Sequence, residues 1–251
     1  MDKKELQNPA LYTNRELSWL LFNKRVLSEA RDKQLLLFER LKFLSITASN
    51  LDEFFMVRIG SLVDMIHAEY TKKDIAGMSA KEQLDALMEE THKFAALQYS
   101  TYNRMLLPQL RANGLNFVEH HEQLTERQAQ YVDEYFEENV YPVLTPMAVD
   151  SSRPFPLIRN KTLNIGALVA KKGEKDTEIE FATVQVPSVL PRVVRIPAAK
   201  EGDTEVAVLL LEEIIERNIS KLFLNYNVLC AHPFRITRNA DLAIDEDEAE
   251  D

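Results

Sequence analysis

Glycine is scarce in this sequence. Six glycines occur in 251 residues, far apart, at positions 60, 77, 114, 166, 173 and 202. That is well below the usual share of about 7%. Phosphate-binding loops need glycines at fixed short spacings, because their backbone must turn sharply and approach the phosphates closely. Neither the G-x-x-x-x-G-K nor the G-x-G-x-x-G spacing occurs, which excludes both kinds of nucleotide-binding loop.

Cysteine and long apolar runs are also lacking. The single cysteine, Cys230, cannot form an internal disulfide or a thiolate metal cluster, and it suits a reducing compartment. The longest apolar run, Val206 to Leu211, has six residues, whereas a membrane-spanning helix needs about 20. The first residues, MDKKELQN, lack the apolar core of a signal peptide. We therefore expect a cytoplasmic protein without a membrane span, and peripheral membrane association stays open.

Positive charge is in deficit. The formal net charge is −10, from 30 Lys and Arg against 40 Asp and Glu. Sequence-independent nucleic-acid binders need a basic face, so we expect no nucleic-acid partner. Six of the carboxylates stand in the last seven residues, Asp245 to Asp251. The rest of the chain is only mildly acidic and leaves room for one basic pocket.

The length favours two domains, and the apolar periodicity changes between them. Spacings of three and four, with capping boxes opened by Thr13 and Ser79, predict helices over 13–31, 35–48, 51–70 and 79–113. We assign residues 1–113 to a helical amino-terminal bundle.

Residues 114–251 are assigned to an α+β domain, because strands and helices are grouped there rather than strictly alternating. A helix capped by Thr125 is followed by a β-hairpin over 162–183, whose turn is formed by the polar residues 171–175. Further strands are predicted at 192–196 and 227–237, and a helix at 209–222. The acidic end then stops without a helix for it to cap, so we expect this domain to be incomplete at its carboxy end.

Asn50 lies at a junction between two apolar runs. Asn is a favoured N-cap residue, and Glu53 stands three positions later, so the pair predicts a capping box that starts a new helix. This interpretation needs no ligand. The alternative is that the Asn50 amide, with a donor and an acceptor together, faces a cleft and binds the edge of a small molecule.

Arg58 interrupts the apolar face of the helix predicted over 51–70. A guanidinium in that position needs a carboxylate, carbonyls or a phosphate. An ion pair, an anion site and a subunit interface are the alternatives.

Self-sufficient catalytic chemistry is not indicated. His67 and His92 stand alone, and the pair His120 and His121 precedes the Thr125 cap in a polar connector, where we expect exposure to solvent. No metal-ligand spacing, nucleophile elbow or H-E-x-x-H motif occurs. We predict no metal site and no catalytic residue in this chain.

Several separated segments resemble one family. RELSWLLFNKRVL at 15–27, ERLKFL at 39–44 and SNLDEFFMVR at 49–58 are similar to the amino-terminal domain of the long, phosphohistidine-type bacterial polyphosphate kinases. RPFP at 153–156 and PFRITRNAD at 233–241 are similar to segments of that family's next domain. The segments occur in the family's order, and the resemblance covers the whole chain.

The resemblance implies an enzyme that reversibly transfers the terminal phosphate of ATP to inorganic polyphosphate, through a phosphohistidine and with magnesium. It implies a helical domain, a head domain with a PX-like fold, truncated here, and two catalytic domains beyond this chain. The phosphohistidine and the magnesium ligands would lie in those domains. Such enzymes bind ATP or ADP and polyphosphate, and a homodimer or higher homo-oligomer is expected.

Asn50 is the position that the resemblance assigns to the adenine end of ATP. Asp52 and Glu53 would occupy the first turn of the predicted helix and repel a triphosphate, which also favours a base over a phosphate at Asn50. The fragment would then supply an adenine contact and a dimerisation surface, and it would be inactive alone. The alternative function is a non-catalytic oligomerisation or adaptor module.

Overall fold

The computed structural model describes residues 5–149, 158–173 and 179–239. The acidic run 245–251, the RPFP segment and part of the predicted hairpin turn lie outside these residues. The chain divides into two compact units. The first contains the residues up to Gln109 together with the described residues from Thr237 onward, and the second contains Leu110–Ile236.

The first unit is helical. Its helices are α1 (Arg15–Arg31), α2 (Leu37–Phe54), α3 (Gly60–His67), α4 (Ala80–Thr101) and α5 (Leu107–Ala112), the last of which extends into the second unit. Five-residue π-helical segments follow α2 at Phe55–Ile59 and α4 at Tyr102–Leu106.

The helix caps are partly as predicted. Ser79 and Glu82 form the predicted capping box of α4. At α1 the N-cap is Asn14 and not Thr13, because the Asn14 side chain accepts hydrogen bonds from the backbone N–H groups of Glu16 and Leu17. Gly114, with φ of +80°, follows α5 and ends this helical part of the chain.

The predicted helix start at Asn50 is wrong. Helix α2 runs through this position, so Asn50 and Glu53 form no capping box. The physical reason is that one helical face continues across the junction. Residues 40, 44, 47, 51 and 54 follow each other at spacings of four and three, and Arg40, Thr47 and Phe54 of this set are buried. Packing of that face outweighs the weak preference of Asn for a cap.

Two clusters of apolar side chains form the core of the first unit. One is centred on Leu20, Phe54, Leu62 and Leu87, and the other on Leu27, Ala30 and Phe94. Both join α1, α2 and α4, so the start of α1 is held against the end of α2.

The second unit combines two sheets with helices α6 (Glu126–Tyr135) and α7 (Leu211–Arg217). A π-helical segment, Phe136–Val140, continues α6, and the predicted Thr125–Gln128 capping box opens it. The strands are β1 (Leu115–Phe117), β2 (Pro146–Val149), β3 (Leu163–Lys171), β4 (Ile179–Gln185), β5 (Val193–Ile196), β6 (Val206–Leu210) and β7 (Tyr226–Arg235).

The larger sheet is antiparallel, with strand order β2-β4-β3-β7. Its β3–β4 pair confirms the predicted hairpin, with Ala167 opposite Ala182. The smaller sheet has the order β1-β6-β5, in which β1 and β6 are parallel. Most of the apolar run 206–211 forms strand β6, although its end was predicted to belong to a helix over 209–222. Helix α7 begins at Leu211, two residues later than predicted.

One apolar core joins both sheets of the second unit to its helices. Its fully buried members include Phe136, Ile165, Val184, Leu209 and Ile215. A helical region followed by a small mixed-sheet domain confirms the predicted combination of an α and an α+β part. Within the described residues, no helix has the length and apolar character needed to span a bilayer.

Candidate functional site

A cavity of about 470 Å³ lies in the first unit, between the start of α1 and the end of α2 with its π-helical continuation. Its volume is within the usual range of small-molecule pockets, about 300–1,000 Å³. The lining combines aromatic, amide and charged side chains: Arg15, Glu16, Ser18, Trp19, Phe22, Asn50, Glu53, Phe54, Val57 and Arg58. Both residues that the sequence singled out, Asn50 and Arg58, therefore line one pocket.

The side of the pocket formed by α1 is fixed by Asn14. This N-cap residue is only 3% exposed. Besides capping α1, it donates from Nδ2 to Asp74 Oδ2 at 2.7 Å and to Gln83 Oε1 at 2.8 Å. Because one amide ties the helix start to two distant segments, Arg15, Glu16 and Ser18 are presented from a rigid turn.

Asn50 is held by a chain of polar contacts between helices. Its Nδ2 donates to Oδ1 of the fully buried Asn23 at 3.0 Å. Asn23 in turn donates from Nδ2 to the Thr47 carbonyl at 3.1 Å, and Gln98 Nε2 donates to Thr47 Oγ1 at 3.0 Å. The half-buried Asn50 amide thus has a fixed orientation before any ligand arrives.

Aromatic rings form one wall of the pocket. Trp19 stacks on the buried Phe54, with ring centroids 4.4 Å apart and planes 8° from parallel. Phe22 is 49% exposed beside them. Trp19 and Phe22 were not predicted as site residues, because aromatic residues at helical spacing are core residues in most cases.

Asn23 was also missed, although the sequence carried a signal for it. The buried residues of α1 are Leu20, Asn23, Leu27 and Ala30, at spacings of three and four. A polar residue on such an apolar stripe must find a hydrogen-bond partner, and this requirement points to a neighbouring polar site.

Arg58 is placed at the edge of the pocket. Its Nε lies 3.9 Å from Glu16 Oε2, and its side chain is 43% exposed. The distance allows an ion pair but is too long for a hydrogen bond. Glu16 therefore accepts no hydrogen bond from the Arg58 guanidinium. An anion site and a subunit interface stay predictions for Arg58.

The predicted position of Asp52 and Glu53 in the first turn of a helix is wrong. Both lie inside one continuous helical segment, because α2 passes through the π-helical residues Phe55–Ile59 into α3, so no helix end lies beside them. The balance of charge around the pocket comes instead from two carboxylates, Glu16 and Glu53, against two guanidinium groups, Arg15 and Arg58.

The histidines lie elsewhere. His67 and His92 are exposed. His120 is exposed too, but His121 is not: its side chain is 19% exposed and contacts Glu213 through both the backbone N–H and Nδ1. The predicted exposure of His121 is therefore wrong, because a carboxylate 92 positions later in the chain covers it.

Comparison with known proteins gives matches that together cover most of the chain. The family model described as polyphosphate kinase N-terminal domain matches residues 12–118, and the model described as polyphosphate kinase middle domain matches residues 127–251. A polyphosphate kinase from Lactiplantibacillus plantarum is 48% identical over 240 residues, which are 96% of this chain and 32% of that protein. One from Halalkalibacterium halodurans is 47% identical over 98% of this chain and 34% of its own length.

The fold agrees with these sequence matches. The crystal structure of polyphosphate kinase from Porphyromonas gingivalis superposes with a TM-score of 0.80 at 31% identity, over 93% of this chain and 34% of that one. The fold match and the family-model matches therefore indicate the same class of protein. The chain belongs to the polyphosphate kinase family. It spans about a third of the length of the curated relatives that it matches.

Proposed function

We propose that this chain is the amino-terminal part of a polyphosphate kinase that reversibly transfers the terminal phosphate of ATP to inorganic polyphosphate through a phosphohistidine. Its own contributions are an adenine contact and a dimerisation surface, and it is inactive alone. The observation that carries this proposal is the pocket in which Asn50 stands beside stacked aromatic rings, in a chain of this family.

Asn50 has the chemistry to bind an adenine edge. A side-chain amide offers two N–H donors and a carbonyl acceptor. One N–H of Asn50 is directed to Asn23. The second N–H and the carbonyl oxygen form the donor–acceptor pair with which Asn binds the N6 and N7 positions of adenine. Trp19 and Phe22 supply apolar surface for the flat face of the base.

Arg58 and Arg15 are the cationic groups of the same pocket. We assign Arg58 to an anion, either a phosphate of the nucleotide or a carboxylate across a subunit interface. The half-exposed side chain and its loose pairing with Glu16 support this assignment, because the fork remains available for bidentate contacts.

We assign the groups that react with phosphate to parts of the enzyme outside this chain. None of its five histidines is assigned as the phosphorylated residue. Magnesium, when bound, would neutralise phosphate charge during transfer. The carboxylates of the pocket, Glu16 and Glu53, do not fit that ion, since two guanidinium groups share the lining with them. We therefore assign the magnesium ligands to other parts of the enzyme.

We further propose that the protein forms a homodimer or a higher homo-oligomer. It would act in the cytoplasm, with peripheral membrane association as the alternative. Large apolar side chains at the surface of the first unit support a protein interface: Leu21, Phe22, Leu36 and Phe38 are 57%, 49%, 78% and 67% exposed.

The adenine contact is tested in the full-length parent enzyme with Asn50→Ala. Loss of a bidentate pair worth about 1–3 kcal/mol should raise the KM for ATP about tenfold or more. The preference for ATP over GTP should fall with it. The matched control is Asn103→Ala, an exposed amide in another helical segment, which should leave both unchanged. Equal losses for ATP and GTP would reduce Asn50 to a structural residue.

Binding can also be followed directly in the 251-residue chain. Trp19 is the only tryptophan, so tryptophan fluorescence, excited at wavelengths that the tyrosines do not absorb, reports on this pocket. Adenosine should change the emission, and Asn50→Ala should weaken that response. The same chain should show no ATP-dependent polyphosphate synthesis. Synthesis would contradict the assignment of the reacting groups to other parts of the enzyme. A parent gene with a stop codon soon after Asp251 would favour the adaptor module instead.

A further inference from the structure

A second concentration of functional side chains lies in the second unit, where the segment before α6 meets α7 and β7. Three histidines and three glutamates line one cavity of about 490 Å³: His120, His121, Glu122, Glu213, Glu216 and His232. We call this set the histidine–glutamate cluster. Gln123 and Pro233 complete the described lining, which contains neither lysine nor arginine.

Glu213 is the centre of the cluster. Its Oε1 lies 3.7 Å from His120 Nδ1, and its Oε2 lies 3.2 Å from His121 Nδ1. The His121 backbone N–H also donates to Oε2, at 2.9 Å. On the opposite side of His121, its Nε2 lies 3.6 Å from Glu122 Oε1. One carboxylate thus holds the 120–122 segment against α7.

The carboxylates from α7 are largely withdrawn from water. Glu213 and Glu216 stand three positions apart, on one face of the helix, with side chains 12% and 16% exposed. Burial and the charge of Glu213 raise the pKa of Glu216 above its ordinary value, while His121 and His232 act in the opposite direction. The cluster contains three carboxylates, two of them largely buried, and its lining contains no lysine or arginine. Buried carboxylate charge is costly without a compensating cation.

The donor atoms are close enough to share one ion. One ligand atom each from His120, Glu122 and Glu213 lies within 4.8 Å of the others. Ligands of a tetrahedral site with bonds of about 2.1 Å are about 3.4 Å apart. His120 and Glu122 are 65% and 71% exposed, so their side chains are free to rotate inward by the small amount required.

We propose that His120, Glu122 and Glu213 bind a divalent first-row transition-metal ion of the zinc class. Imidazole nitrogen with carboxylate oxygen is a donor set that suits Zn²⁺, whereas Mg²⁺ prefers oxygen alone. His121 is a positioning residue, since its contacts with Glu213 orient that carboxylate. Bound metal would cross-link the 120–122 segment to α7. This site is independent of the nucleotide proposal.

The test is calorimetric titration of Zn²⁺ into the untagged, EDTA-treated chain at neutral pH. A Cys230→Ser background removes the one thiol, which is exposed and could bind zinc. We expect one ion per chain, and His120→Ala and Glu122→Gln should each weaken binding at least about tenfold. Both side chains are exposed, so neither variant should unfold the unit. Glu213→Gln, which retains an acceptor for the His121 N–H, should remove binding.

The matched control is His92→Ala, an exposed histidine of the first unit, which should bind Zn²⁺ as the parent does. Excess Mg²⁺ should not compete. Zinc should also raise the Tm of the parent and of His92→Ala but not that of His120→Ala. Absence of binding, or equal affinity in the His120, Glu122 and His92 variants, would overturn the proposal and leave the cluster as a set of metal-free ion pairs.

Discussion

Asn50 and Asn23 form a side-chain hydrogen bond between α2 and α1, with Nδ2 of Asn50 donating to Oδ1 of Asn23 at 3.0 Å. The direction of this bond follows from the next contact. Asn23 directs its own Nδ2 to the Thr47 carbonyl, and its Oδ1 is the atom that faces Asn50. The buried Asn23 amide therefore orients the half-buried Asn50 amide across the two helices, and a ligand in the pocket would meet Asn50 in that orientation.

The first prediction concerns the stability of this pair. Asn23→Ala removes a fully buried amide. The Thr47 carbonyl then loses the Asn23 N–H donor and an Asn50 N–H loses its acceptor. We therefore expect a loss of about 1–3 kcal/mol in the free energy of unfolding. Asn50→Ala should cost less, because Asn50 is half-buried and alanine favours the helix. Urea unfolding of the two single variants and the double variant should give a coupling energy of about 0.5–1.5 kcal/mol. Strict additivity would show that the bond contributes nothing.

The helices were largely predictable from the sequence, and the error at Asn50 has a specific cause. A cap signal depends on a few neighbouring residues, whereas the continuity of α2 depends on the phase of one buried face from Arg40 to Phe54. The spacing of this buried face, followed across the junction, predicts one helix. The buried Asn23 was predictable in the same way, as a polar residue on an apolar stripe.

Contacts between distant parts of the chain were beyond sequence reasoning. The pairing of Arg58 with Glu16 and that of His121 with Glu213 join residues far apart in the sequence. Local periodicity carries no information about which such residues meet. The parallel strand β6 was missed for a related reason, since its run of apolar residues also fits a buried helix until its partner β1 is known.

A second prediction concerns Gly166 in β3. A Cβ at this position would lie 2.9 Å from Phe181 Cε2 and 3.2 Å from Phe234 Cε1, and these two rings pack edge to face across the glycine. Gly166→Ala should therefore destabilise the chain by about 1–3 kcal/mol. In a Phe181→Ala background the closest contact is absent and most of this cost should disappear. Thermal unfolding of the four proteins measures the difference, and an equal cost in both backgrounds would exclude the ring contact as its cause.

A third prediction concerns the start of α4. The Ser79 side chain accepts from the Glu82 N–H, and Glu82 accepts from the Ser79 N–H. Ser79→Ala removes the cap and should lower the free energy of unfolding by about 1 kcal/mol. Ser45→Ala, at an exposed position within α2, is the matched control and should be neutral or slightly stabilising. Similar effects of the two substitutions in denaturant titrations would contradict a specific role for the cap.

The last prediction is a pH dependence of stability that arises at Asp133. Arg217 Nε and Nη2 donate to the two carboxylate oxygens of Asp133 at 2.8 and 3.0 Å, and Asn218 donates to Oδ1 at 3.1 Å. These contacts, that of Arg217 foremost, lower the pKa of Asp133. A carboxyl whose pKa is lowered by folding stabilises the protein above its unfolded-state pKa of about 3.9, and that contribution is lost as the pH falls through the folded-state value.

Asp133→Asn should therefore be less stable than the parent at neutral pH, by about 1 kcal/mol, because the carboxylate is 37% exposed and solvent screens the pair. The gap should narrow below about pH 5 and continue to close below pH 3.9, as the parent's Asp133 is protonated. Asp85→Asn, an exposed carboxylate in α4, is the control and should stay within about 0.5 kcal/mol of the parent throughout. Unfolding free energies measured from pH 7 to pH 3 decide the matter, since a gap that is constant with pH would assign the effect to packing and not to charge.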